Sequence, residues 1–494
     1  MPHWRLAAAL LLSSFAAAQD AGLSGPVDDT DPGGLQLIVA NATATPDDMA
    51  AVTVTMTSTH WVVAATSHQQ MAFATPHAKA TAKQNKKAHS KSSASPQAST
   101  TRIARGKAKA SVPANTTQNA VSLSKLINVT DEWDWTTFKA NGVNIGNWQV
   151  LESWMNPTWF ASIAAGTGAV DEWTLAEYRG HKIMGPILTQ HWDTWITEKD
   201  VQTLSDLNVN MMRIPVGFWA WGNVTGVMAG EPYYIGDRLS RIQRLIEWGA
   251  LHNIYSVIDM HGMPGSQSGN DHTGHVGPKL FFQPANQQRS RRVIQVVSDW
   301  IDALPKTTRS WVAGLEVVNE PQLSATGSWY DKTYEPVLKS FYHDSYNIIQ
   351  NGNTPKKTTV IHDAFYPPGT GVWDDFMLNV PKNNLVLSSH PYYHWDTYSD
   401  AEAAINTYKS ADWFNYPRPL WLNEWSLSLP DDCVNSYTES SDWYQRFWQH
   451  QVGEWYQFAG HAFWSIKTID NPPWSLEILA NAIPTAIETV TTPE

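Results

Sequence analysis

Two short runs in this sequence end an apolar stretch with an asparagine followed by a glutamate. Val312-Ala313-Gly314-Leu315-Glu316-Val317-Val318 leads into Asn319-Glu320-Pro321, and Pro419-Leu420-Trp421-Leu422 leads into Asn423-Glu424-Trp425. Proline donates no backbone hydrogen bond and biases the residue before it toward extended geometry. Pro321 is therefore expected to end its strand with Glu320 extended and pointing into a cleft. A lone Asn-Glu-Pro is equally an ordinary turn or helix cap. The matching second run turns attention to chemistry that needs two carboxylates.

Paired carboxylates can divide acid and nucleophile between them. One attacks a sugar's anomeric carbon while the other protonates the departing oxygen, which requires a separation of about 5 Å; a pair that activates an intervening water stands roughly 6.5–9.5 Å apart. In the first case Glu320 begins protonated and later acts as base, and Glu424 begins ionised.

The elements that must carry these acids follow from periodicity. Short apolar runs predict strands at Gly142–Trp148, Val209–Val216, Ile254–His261, Val312–Asn319, Thr358–His362, Leu385–His390, Leu420–Glu424 and His461–Ile466. Helical patterns fall between most of them, at Lys199–Leu207, Arg238–Leu251, Arg289–Ala303, Tyr334–Gln350, Ala401–Ser410 and Trp443–Tyr456, with a last one near Ser475–Glu488.

Eight such strands suit a closed (β/α)8 TIM barrel, with an open doubly wound sheet as the alternative. Polar residues recur at the C-terminal ends of the strands: Arg213, His261, Asn319-Glu320, His362-Asp363, His390, Glu424 and Trp464. A barrel gathers all of these at one mouth, and ends three strands apart, like those of Glu320 and Glu424, face each other there. No Gly-x-Gly-x-x-Gly follows an early strand, which argues against a nucleotide cradle.

The rest of the chain bounds the possibilities. Of 494 residues 42% are hydrophobic, enough for a large core. The formal net charge of −12 is uneven: residues 1–130 hold 11 basic and 6 acidic residues, leaving 23 basic against 40 acidic in 131–494. An acidic body repels polyphosphates and argues against nucleic acid as partner, whereas neutral sugars are indifferent to it. The body also holds 24 of the 26 tryptophans, whose indoles can stack on the C–H faces of pyranose rings or simply fill a core.

The N-terminal residues 1–19 read as an export signal. Leu6 to Ala18 is almost wholly apolar and ends in small residues, nearer 13 residues than the roughly 20 needed to span a bilayer. Sequons at Asn41, Asn115, Asn128 and Asn223 fit a secreted glycoprotein, extracellular or bound to a cell wall.

Residues 20–130 form an extension of low complexity. From Lys79 to Lys109 it is basic and lacks aromatics, so it is expected to be largely disordered: a linker, a removed propeptide or an adhesive for an anionic wall. Strand-prone runs at Leu35–Val39 and Val52–Met56, with Trp61, make either a small β element or a loosely packed arm. A catalytic domain is expected over 131–494. The single cysteine, Cys433, rules out an intrachain disulfide and cysteine-pair metal sites.

Several long runs, in order, resemble glycoside hydrolase family 5, and especially its fungal exo-β-1,3-glucanase branch. They include Gly142-Val143-Asn144-Ile145-Gly146-Asn147-Trp148, Leu151-Glu152-Ser153-Trp154, Met212-Arg213-Ile214-Pro215-Val216-Gly217-Phe218-Trp219, Ile258-Asp259-Met260-His261-Gly262 and Ile361-His362-Asp363-Ala364-Phe365. The resemblance implies that Glu320 is the acid/base and Glu424 the nucleophile, with Arg213 steadying the nucleophile. It further implies that Asn319 bonds the sugar 2-hydroxyl, that His261, His390 and Tyr392 line the pocket, and that Trp464 floors the nonreducing-end glucose. Glu152 and Asp271 are expected to meet sugar hydroxyls.

No cofactor or metal is implied, and a monomer is expected. The chain departs from the resembling pattern at Asn147 and Asn423, where glycine is usual, at Ile466, where tryptophan is frequent, and in Ser268-Gly269-Asn270-Asp271-His272-Thr273-Gly274, usually Asn-Gly-Phe-Asp-Asn-Ser-Gly.

The function these features imply is a retaining β-glucan hydrolase releasing glucose from nonreducing ends of β-1,3-glucan. An endo-β-1,6-glucanase, or a broad β-glucosidase with transglycosylation, is the enzymatic alternative. A noncatalytic carbohydrate-binding wall protein is the alternative of another class.

Overall fold

Eight of the apolar runs form one parallel, closed barrel. A computed structural model describes residues 133–351, 357–410, 412–430, 433 and 441–488, together with 36–40, 51–57 and 60–66. The leader-like run, the basic stretch Lys79–Lys109 and the sequons at Asn41, Asn115 and Asn128 lie outside these residues. Asn223 lies within them and is exposed.

The chain divides into two units, residues 1–120 and 121–494. In the first, β1 (Gln36–Ala40), β2 (Ala51–Thr57) and β3 (His60–Thr66) pair antiparallel in sequence order, so both strand-prone runs are strands of a small sheet.

In the second unit, β4 (Ala140–Asn144), β5 (Met211–Gly217), β6 (Tyr255–Gly262), β7 (Val312–Glu316), β8 (Thr358–His362), β9 (Leu385–Ser389), β10 (Leu420–Trp425) and β11 (Gly460–Phe463) follow one another around the barrel, and β11 closes on β4. The open sheet is thereby excluded. Nearly every strand residue is buried, as expected when helices cover the outside and side chains fill the inside.

The period-two alternation of a strand sets up the site. Ala140, Met211, Val257, Ala313, Val360, Val386, Trp421 and Ala462, one from each strand, pack together as an apolar floor, with Trp133 and Trp135 in the same cluster. Two residues further on, the same face carries Arg213, Asp259, His362, Ser388, Asn423 and, just past the end of β11, Trp464, while Asn144 stands four residues beyond Ala140. A dry layer thus supports a polar one, and the polar one opens at the strands' C-terminal ends.

The predicted helices are present: Glu198–Asp206, Arg238–Leu251, Pro284–Ala303, Glu335–Gln350, Ala401–Ile405, Ser441–Trp455 and the pair Leu476–Ala482 and Pro484–Glu488. Two more, Pro157–Ala164 and Glu172–Trp195, occupy the β4–β5 connection ahead of Glu198–Asp206, where the pattern predicts only Lys199–Leu207. Asp171 starts the longer one through a reciprocal capping box with Thr174.

Candidate active site

Arg213, fully buried on β5, organises the mouth. Its Nε donates to Glu316 at 2.6 Å; Nη1 donates to Glu424 at 2.6 Å and to Asn144 at 2.9 Å; Nη2 donates to Asn319 at 2.7 Å and lies 3.0 Å from Asp259. A guanidinium has five N–H donors; four hydrogen bonds and the ion pair to Asp259 fix the plane of the group here. Burial opposes its charge, but Asp259, Glu316 and Glu424 outweigh that and push its pKa above the ordinary arginine value.

The three acids answer differently. Burial pushes Asp259 up to about 7 and raises Glu316, with Arg213 opposing in both cases. Glu424 is also raised, first by burial and then by Glu320 and Asp259, while Arg213 and the Tyr392 hydroxyl favour its ionised form. One cation cannot fully offset three buried carboxylates, so the cluster as a whole holds protons more tightly than free acids do.

Glu320 and Glu424 meet across one imidazole. His390 Nδ1 lies 2.6 Å from Glu320 Oε1 and 3.3 Å from Glu424 Oε2. Those two oxygens can therefore be no further apart than the combined distances, about 6 Å, which places the two carboxylates on one opening. Burial, followed by the Arg213 charge, depresses the His390 pKa well below the usual range, so its ring is neutral. Tyr392 donates its hydroxyl to Glu424 Oε2 at 2.9 Å.

Glu320 itself corrects one expectation. It is not extended: its φ is +41°, a region few residues other than glycine adopt. The ladder of β7 ends at Glu316, yet the next residues keep contact with both neighbouring strands, Val317 N–H bonding Val360 and Asn319 N–H bonding Met260. The turn at Glu320 thus begins from a firmly held base. Its side chain is partly open to solvent, with His272 Nε2 3.5 Å from the other carboxylate oxygen.

The remaining predicted residues surround this pair. His261 Nδ1 lies 2.6 Å from Asp259, and the ring stacks on Trp464 with centroids 5.4 Å apart and planes 9° from parallel. Trp464 packs with Met155, Tyr392 and Trp474. Glu152 accepts from Trp154 Nε1, and its second carboxylate oxygen is buried without a partner. Burial, followed by the neighbouring Asp271, raises its pKa well above the usual range. Asn319, through Arg213, completes the set.

Other residues of the site escaped sequence reasoning. Glu316 accepts from Arg213, Ser388 and Asn423, and Asp259 orients His261, although neither acid stands at the end of its predicted strand. The signal available was an acid interrupting an apolar run, two residues before His261 in the case of Asp259.

Among the described residues, the group suited to hold a metal ion is Glu320, His362 and His390, whose ligating atoms lie within 4.8 Å of one another. Two of its nitrogens already have work: His390 Nδ1 bonds Glu320, and His362 Nδ1 accepts the Ala364 N–H.

Residues 173–466, more than half of the chain, match the cellulase (glycosyl hydrolase family 5) family. The chain belongs to glycoside hydrolase family 5. As a member it is a glycosidase. It is 28% identical over 390 residues to the probable glucan 1,3-beta-glucosidase A of Emericella nidulans, covering 70% of this chain and 89% of that one. It is likewise 28% identical over 405 residues to the glucan 1,3-beta-glucosidase of Candida oleophila, covering 71% and 89%. Among solved structures, rutinosidase from Aspergillus niger shares the fold, with a TM-score of 0.61 at 22% identity over 70% of this chain and 94% of that one.

The geometry also accounts for two departures from the resembling family 5 pattern. Asn147, where glycine is usual, has φ +55°, and asparagine is among the side chains that tolerate this region best. Its Oδ1 accepts the Glu152 N–H at 2.9 Å. Asn423, the other glycine replacement, donates to Glu316 at 2.9 Å and thereby ties β10 to the Arg213 cluster.

Proposed function

We propose that this family 5 glycosidase is a retaining β-glucan hydrolase that releases glucose from nonreducing ends of β-1,3-glucan, with Glu424 as nucleophile and Glu320 as acid/base. The observation that carries this reading is the single His390 nitrogen within reach of both carboxylates, which keeps facing oxygens of the two within about 6 Å and so favours direct attack over a pair roughly 6.5–9.5 Å apart. The names of the curated relatives support the linkage, and the partnerless oxygen of Glu152 supports a site made for hydroxyl groups.

In the first step Glu424 attacks the anomeric carbon while Glu320 gives its proton to the glycosidic oxygen. The bond to the leaving sugar breaks and a glycosyl ester forms on Glu424. Arg213 and the Tyr392 hydroxyl favour the ionised form of Glu424 against its burial and orient its carboxylate for attack. Once esterified, Glu424 no longer carries charge, which lowers the proton affinity of Glu320. Glu320 then takes a proton from water, and the resulting attack on the ester returns the original configuration. Asn319, oriented by Arg213, is placed in this reading to bond the 2-hydroxyl as positive charge grows at the adjacent carbon.

Export and wall association belong to the same proposal, supported by the apolar run Leu6–Ala18 and the sequons. The enzymatic proposal is tested by incubating purified protein with laminarin, pustulan and cellulose, resolving product lengths and following the anomeric protons by NMR. Glucose released first as the β-anomer, from laminarin in preference to the others, is expected. Internal cleavage of pustulan would replace the linkage and end preference, and first release of the α-anomer would remove the retaining mechanism.

A further inference from the structure

The loop that carries Glu320 runs on to an exposed pair of aromatics. Trp329 is 41% exposed and Tyr330 90%, whereas most tryptophans of the barrel unit are buried. Trp329 lies against Tyr366, which follows β8, with ring centroids 4.5 Å apart and planes 20° from parallel; the Tyr366 hydroxyl donates to the Trp329 carbonyl. Tyr366 itself is buried, so one face of the indole is backed and the rest is left to solvent.

The loop around this pair is well tied. The Asp331 carboxylate accepts from Ser324 Oγ, from the backbone N–H and hydroxyl of Thr326, and from the backbone N–H and hydroxyl of Thr333. Tyr334 N–H closes the base of the loop on the Leu323 carbonyl. A loop held this way cannot readily fold its aromatic tip into the core. The tip is a preorganised flat surface, and such a surface suits the aliphatic face of a pyranose ring.

Its position tells which part of a chain it would meet. β7 and β11 stand four strands apart in an eight-stranded barrel, on opposite sides of the mouth. Trp464 follows β11, on the side read as the nonreducing end, whereas Trp329 and Tyr330 follow Glu320, which protonates the leaving oxygen. We propose that Trp329, backed by Tyr366 and flanked by Tyr330, is an outer subsite that stacks a glucose ring on the leaving-group side of a bound β-glucan chain. This rests on the glucan reading above.

The test compares the full-length protein with Trp329→Ala, Tyr330→Ala and the double variant on an aryl β-glucoside and on laminari-oligosaccharides of two to seven sugars. In the parent, kcat/KM rises with chain length. In the double variant that rise is lost, by roughly tenfold on the longest chain, the factor that 1.4 kcal/mol represents. Activity on the aryl glucoside is unchanged, which shows that the fold survives, and Trp329→Phe retains most of the rise.

An equal rise in parent and variants would overturn the subsite. A parent that cleaves the oligosaccharides with no dependence on length would also overturn it while leaving the glucan reading intact. A parent that cleaves the aryl glucoside but none of the oligosaccharides would overturn the glucan reading, and the subsite with it.

Discussion

Tyr392 places its hydroxyl 2.9 Å from Glu424 Oε2, the same oxygen that faces His390, while Arg213 occupies the other oxygen of that carboxylate. The tyrosine is buried, and the adjacent carboxylates Glu424 and Glu320 add to burial in raising its pKa, so it stays protonated and acts only as a donor.

Tyr392→Phe is therefore expected to lower kcat by about 10- to 100-fold without unfolding the protein, a loss appropriate to one charge-assisted hydrogen bond. The hydroxyl favours ionised Glu424, so its removal raises the pKa of that group. Because Glu424 must be ionised to attack, the acidic limb of kcat/KM moves to higher pH. An unchanged acidic limb would separate Tyr392 from the nucleophile.

Arg213→Lys is expected to be a severe change despite conserving charge. Lysine offers three donors from one point where four hydrogen bonds and an ion pair are now made from a plane. A fall in kcat of roughly 100- to 1,000-fold is expected, the size found when an oriented donor is lost from a catalytic centre. Thermal unfolding should fall as well, since Asp259, Glu316 and Glu424 would remain buried with fewer partners. Full activity in this variant would show that the Arg213 fork is a structural tie alone.

Asp363 offers a pH test on a buried carboxyl that takes no part in the reaction. Burial pushes it up to about 7, against hydrogen bonds from Ser389 and the Phe365 N–H. Its folded-state pKa lies above the unfolded value of about 4, so its contribution to stability is present below pH 4 and is lost as pH rises to about 7. Asp363→Asn should flatten the decline in Tm across that window, by an amount worth a few kcal/mol at most. Parallel pH profiles for parent and variant would contradict the assignment.

How much of this was legible in the sequence depended on whether local pattern or tertiary contact decides. The strands were visible because buried parallel strands are short apolar runs, and the predicted Thr358–His362 and Arg238–Leu251 coincide with the observed elements. Helix Glu172–Trp195 was not visible, because Gly180, at φ +67°, and Pro186 interrupt its period. Glu320 and Glu424 stood out as acids at strand ends. Glu316 and Asp259 did not, since their importance comes from Arg213 reaching them from another strand. The positive φ of Glu320 was hidden for a related reason: Pro321 argues locally for an extended residue, and contacts of the preceding backbone with β6 and β8 accompany another outcome.

Asn147 should behave as a backbone specialist. Asn147→Ala places a methyl-bearing residue at φ +55° and removes the acceptor for Glu152 N–H, for an expected loss of about 1–2 kcal/mol. Asn147→Gly keeps the conformation and should lose less. Denaturant unfolding of the two variants decides the matter, and equal losses would mean that the hydrogen bond, not the backbone, sets the requirement.

The roles of the two carboxylates can be separated by azide, a small anion that needs no base to activate it. Glu320→Ala and Glu424→Ala are each assayed on an activated aryl β-glucoside with and without azide, and the glycosyl azide is identified by NMR. With Glu320 as acid/base, its variant still forms the ester and azide opens it from the opposite face, giving the β-glucosyl azide. With Glu424 as nucleophile, its variant leaves a space in which azide attacks directly, giving the α-glucosyl azide. The reverse pairing of products, or turnover at the parental rate in either variant without azide, would contradict the assignment on which the mechanism stands.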